Sequence, residues 1–172
     1  LLCYGVAMDF DPDNPRWPYF LAFVKQEKGE NTSVQDLLRK TITLAPRYAP
    51  AILKLADSHF KSGETRKAQA GYERRLDVVQ GDPYALLGLA RIAIDASGWE
   101  RARAYLSQAV EKTPSFGPAH RLLATVHEHF GRLDDMKRSL YDASQCTRFR
   151  PAPDPWIDSL NDLCFDEEQL LV

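Results

Sequence analysis

The dipeptide Leu-Ala stands at Leu21-Ala22, Leu55-Ala56, Leu89-Ala90 and Leu123-Ala124, each 34 residues after the one before. Seven residues past each alanine comes a small turn residue: Gly29, Gly63, Ser97, Gly131. Five further on are Val34, Ala68, Ala102 and Met136, and four beyond those are Leu38, Tyr72, Leu106 and Leu140. Pro46 and Pro114 close their units, and Pro12 stands 34 residues before Pro46. The register holds from Pro15 to Arg150 without insertion or deletion. A fixed period of this length marks units that cannot bury an apolar face alone and must stack on one another.

Each unit reads as two antiparallel helices. The alanines are small where one helix approaches its partner at about 8–10 Å, and the leucines beside them fill the space between units. The glycines suit a left-handed residue at the end of a first helix. The prolines stop the second helix before the next unit begins. These residues resemble the tetratricopeptide repeat, in four units at 15–48, 49–82, 83–116 and 117–150. The resemblance implies an all-α, right-handed solenoid of antiparallel helix pairs.

The ends and some slots depart from the pattern. Residues 1–14 read as the second helix of an incomplete unit, with Tyr4, Ala7 and Pro12 in register. With Leu1 in place of an initiator Met, this suggests a piece of a longer chain. A helix there leaves Leu1, Leu2 and Val6 in need of cover, which makes self-association through that helix one alternative. Pro18 is tolerable only in the first turn of its helix. Arg75 and Thr41 stand where the family usually has Ala, and the second unit lacks a closing proline until Pro83, so looser local packing is expected there. Past Arg150 the period fails. Residues 151–172 begin with a proline-rich break, and Asp154-Pro155-Trp156 reads as a helix cap, a first-position proline and an anchor. A short capping helix from about 155 to 163 is expected, with Trp156, Ile157 and Leu160 laid over the last repeat.

Little here points to catalysis. The 172 residues carry 22 basic and 24 acidic side chains for a net charge of -2, without the basic excess typical of nucleic-acid binders. No apolar run approaches the roughly 20 residues of a membrane span. Cys3, Cys146 and Cys164 form no metal or redox motif, although a returning terminal helix would allow Cys146 and Cys164 to approach each other. There is no phosphate-binding glycine loop, no HExxH and no GxSxG. His59 and His127 fall in a slot the repeat usually fills with a bulky Tyr, so packing is their expected role. His120 and His127 lie about 10 Å apart along one helix, too far to share a metal unaided. The pairs Asp134-Asp135 and Glu167-Glu168 sit at helix starts, where negative charge complements the helix dipole. Neither enzyme activity, a metal nor a cofactor is expected.

The resemblance places first helices along the concave face. Fixed offsets from the Leu-Ala pair put Tyr19, Phe23, Leu53, Asp57, Phe60, Leu87, Arg91, Ile94 and Arg121 there, with Thr125, Glu128 and His129 making the fourth unit polar. Apolar anchors around a few charges suit an extended or helical peptide from a protein partner. Packing against neighbouring helices is the competing role for these side chains. Relatives that clamp acidic chaperone tails carry Lys and Asn at these offsets, whereas this chain has Tyr19, Phe23, Leu53 and Asp57. The expected function is therefore an interaction scaffold. An architectural spacer, or the recognition arm of an enzyme whose catalytic domain lies outside this segment, are the alternatives.

Overall fold

The computed structural model describes residues 2–29, 33–146 and 152–161. Among them are ten helices and no strand: α1 (Leu2–Phe10), α2 (Arg16–Glu27), α3 (Val34–Leu44), α4 (Ala49–Lys61), α5 (Thr65–Val78), α6 (Pro83–Asp95), α7 (Trp99–Lys112), α8 (Gly117–His129), α9 (Leu133–Gln145) and α10 (Pro155–Asn161). Eight of these helices, α2 to α9, follow one another between Arg16 and Gln145. The chain divides into two compact units, Leu1–Ala51 with Ala152–Val172, and Ile52–Pro151.

In the first unit α2 packs between α1 and α3. Tyr4 of α1 meets Phe20 of α2 with ring centroids 5.6 Å apart, tilted at 50°. Pro18 is the third residue of α2, where its missing N–H costs no helical hydrogen bond. Thr41 is fully buried, yet its hydroxyl donates to the Leu37 carbonyl at 2.9 Å, so the slot is filled without an unpaired polar group. On the outer side of α1, Val6 and Phe10 are exposed.

In the second unit α6 packs on α5 and α7, and α8 on α7 and α9. Its core joins Leu86, Leu87 and Ala90 of α6, Ala102 and Leu106 of α7, and Leu123 and Val126 of α8. The turn residues behave as their spacing requires: Gly29, Gly63 and Gly131 take φ of +72°, +74° and +67°, and Ser97 takes +56° in the same role.

Two departures from the pattern prove compensated. Arg75 does not loosen its slot: its Nε donates to Asp82 Oδ2 at 2.7 Å, and both side chains are nearly buried. Asp82 also caps α6, accepting from the backbone N–H of Tyr84 and Ala85, with Pro83 at the first helical position. Arg75 and Asp82 together close the second repeat where a proline was missing.

The terminal helix forms as expected but packs elsewhere. Trp156 stacks flat on Tyr48, with centroids 3.5 Å apart at 12°, and meets Tyr19 edge-on at 5.5 Å. It therefore docks on the first repeat, where a place on the last was expected. There two phenols, Tyr19 and Tyr48, serve the Asp154 carboxylate, and the Tyr48 ring receives the indole. Leu140 of α9 is 48% exposed, where its counterparts Leu38, Tyr72 and Leu106 are at most 1% exposed.

Candidate functional site

The nine side chains expected on the binding face do not share one environment. Tyr19 lies in the first unit with no exposed surface, and its hydroxyl donates to Asp154. Phe23 of the same unit is partly buried. In the second unit Leu53 is a buried core residue, Phe60 is partly buried, and Ile94 packs against the core cluster. Asp57 accepts the Tyr72 hydroxyl at 2.5 Å. These placements follow from helix rotation: a first helix here contacts neighbours on more than one side, so an inward offset does not guarantee access to solvent.

The structure does bring three of the nine together. Leu87 and Arg91, one turn apart on α6, line a cleft of about 350 Å³ with Pro118, Arg121, Leu122 and Thr125 of α8. The α8 residues recur at spacings of three and four, which places them on one helix face. Leu87 is buried at the wall, while Arg91 and Arg121 are exposed. Among the described residues neither arginine forms an ion pair. Pro118 and Leu122 were absent from the sequence-derived set. Leu122 stands just before Leu123 in the repeat, one residue off the inward offset, and only the packing of α6 on α8 brings it into the cleft.

Two guanidinium groups beside an apolar wall have a definite chemistry. Guanidinium is planar, permanently charged and suited to bidentate carboxylates. Leu87, Leu122 and Pro118 supply a surface for an aliphatic or aromatic group. Nothing lining the cleft is a nucleophile paired with a base.

The four histidines sit in separate environments. His59 is buried, with Nδ1 at 2.5 Å from Glu64 Oε2 across the turn. His120 donates from Nε2 to the Pro114 carbonyl at 2.8 Å, and His129 stacks on Trp99 at 3.9 Å. His127 Nδ1 is buried without a hydrogen-bond partner. Asp134 and Asp135 lie in the first turn of α9, whereas Glu167, Glu168 and Cys164 lie outside the described residues. Among the described residues no group of three or more His, Cys, Asp or Glu is arranged to hold a metal, and no helix is long and apolar enough to cross a membrane.

Residues 87–135, which contain the whole cleft, match the family model for the tetratricopeptide repeat. Over this stretch the sequence is similar to the tetratricopeptide repeat. The fold is likewise similar to solved tetratricopeptide structures. A crystal structure of MamA superposes with a TM-score of 0.71 at 18% identity over 83% of each chain. A thermophilic TPR protein of Thermus thermophilus gives 0.67 at 17% identity, over 94% of this chain and 88% of that one. YrrB, described as a TPR protein with an unusual peptide-binding site, gives 0.64 at 13% identity, over 92% of this chain and 80% of its own. No curated protein sequence matches the chain significantly. The tetratricopeptide fold is a scaffold for protein interaction, in which paired helices hold side chains at fixed spacing on one face.

Tyrosines brace both units, and they set an alkaline limit. Burial, then the adjacent carboxylate, raises Tyr72 beside Asp57 and Tyr19 beside Asp154 well above the usual tyrosine range. A group whose folded pKa is raised contributes stability below its unfolded value of about 10, and that contribution is lost as pH climbs toward the folded value. Each of these two tyrosines is expected to remove about 1.4 kcal/mol per pH unit above pH 10. Urea midpoints measured between pH 9 and 11.5 check this, and Tyr72→Phe is expected to flatten the decline of the second unit.

Proposed function

We propose that this chain is a non-catalytic scaffold that holds a segment of a protein partner across α6 and α8. The reading rests on the cleft, where Arg91 and Arg121 stand exposed beside the apolar wall of Leu87, Pro118 and Leu122. A peptide with an acidic residue next to a bulky apolar one fits that chemistry. The carboxylate sits with the guanidiniums and the apolar group covers the wall.

Arg91→Glu with Arg121→Glu tests the reading, because both residues are exposed and circular dichroism should stay at the wild-type level. Selection from a random peptide library is expected to enrich acidic-apolar sequences on the wild type. The double variant should bind those peptides at least tenfold more weakly, a change of about 1.4 kcal/mol. If both proteins enrich the same sequences with equal affinity, the cleft is not the binding site.

A further inference from the structure

Residues of the first unit hold a short ligand-like segment supplied by the chain itself. The Asp154 carboxylate accepts the Tyr19 hydroxyl on one oxygen and the Tyr48 hydroxyl, at 2.5 Å, on the other. The Tyr48 oxygen in turn accepts the Trp156 backbone N–H at 3.3 Å, and the Trp156 indole lies flat on the Tyr48 ring. Tyr19 closes the arrangement, edge-on to both Tyr48 and Trp156. Three consecutive residues, Asp-Pro-Trp, carry the contacts to these tyrosines and the helix start: an acid for two phenols, a proline that starts the helix, and an indole for the stack.

The two sides of this contact differ in their own stability. Tyr19 is part of α2, and Tyr48 directly precedes α4, so the receiving side belongs to the repeat. The segment it receives is a helix of seven residues, Pro155–Asn161. A helix that short is below the roughly 12 residues needed for even marginal stability in isolation. Elements of this kind open locally at low free energy while the repeat beneath stays folded.

We infer that Tyr19 and Tyr48 form a recognition site for the helix start of a protein partner with the chemistry Asp-Pro-aromatic, and that residues 154–161 occupy it in cis as a displaceable competitor. This site lies wholly within the first unit and does not rest on the cleft of the second. A tethered ligand competes at an effective concentration in the millimolar range, so a partner binds only when its own motif outcompetes the segment or the segment is released.

The test uses a fluorescein-labelled peptide of residues 152–161 with the full chain, read by fluorescence anisotropy. Asp154→Ala with Trp156→Ala in the protein vacates the site. That variant is expected to bind the peptide at least tenfold more tightly than wild type does. Tyr48→Phe in the vacated protein, or Trp156→Ala in the peptide, should each remove most of that binding. Equal binding by wild type and the vacated variant, or none by a vacated variant with intact circular dichroism, overturns the proposal. Should the double variant lose its helical signal, Trp156→Ala alone replaces it, and unfolding of that variant too makes the segment core and overturns the proposal. Concentration-dependent dimers of wild type that Trp156→Ala dissolves would show the occupant to be the segment of a second copy, which overturns the assignment to a separate partner.

Discussion

Asp82→Ala is expected to destabilise the second unit by about 3–5 kcal/mol, the range for removing one partner of a buried ion pair. Two losses combine. The side chain caps α6 through the N–H groups of Tyr84 and Ala85, a role worth about 1 kcal/mol. It also neutralises Arg75, whose Nε lies 2.7 Å away and whose side chain is only 13% exposed. The stranded guanidinium dominates, since a buried charge without a partner costs more than the pair contributes. Asp82→Asn should lose less, because the amide oxygen still caps the helix. Arg75→Ala combined with Asp82→Ala should cost less than the two single changes added together, which isolates the coupling. Urea unfolding followed by circular dichroism measures all of these. A single Asp82→Ala variant as stable as wild type would sink the account.

Gly88→Ala is expected to destabilise by about 2 kcal/mol, against the helix-propensity rule that favours alanine by up to about 1 kcal/mol. A Cβ at this position would stand 2.3 Å from Cζ of Tyr72 and 2.5 Å from both of its Cε atoms. The ring has nowhere to retreat: it is 1% exposed, and its hydroxyl is tied to Asp57. Either α6 moves off α5 or Tyr72 leaves its rotamer, and each breaks close packing around the core. Replacing Tyr72 by Leu in the same chain should recover part of the loss by removing the end of the ring. Thermal unfolding of wild type and the two variants decides the point, and a Gly88→Ala protein more stable than wild type would refute it.

The groove residues show where sequence reading stopped short. Arg91 and Arg121 stand exposed at the cleft, where their guanidinium groups stay hydrated. Leu53 and Ile94 share the same kind of offset, yet they turn into the core because apolar groups gain by burial wherever a neighbour is in reach. Pro118 and Leu122 enter the cleft through the approach of α6 and α8, for which a single repeat carries no signal. Tyr48 lies in a turn, outside every inward offset, and its role emerges only with Trp156 stacked on it.

The repeat length, the helix pairs, the left-handed turn residues and the alanines at close approach were all legible along the chain. They rest on contacts between residues a few turns apart, which the 34-residue register repeats four times. The existence of the terminal helix was legible as well, through Asp154, Pro155 and the anchor at Trp156. Where that helix lies was settled only by long-range packing. The hydrogen bonds that place it join residues 106 and 135 positions apart, and several repeat faces compete for the same indole. The face that holds it satisfies a carboxylate and a stack at once, through the hydroxyls of Tyr19 and Tyr48 and the ring of Tyr48.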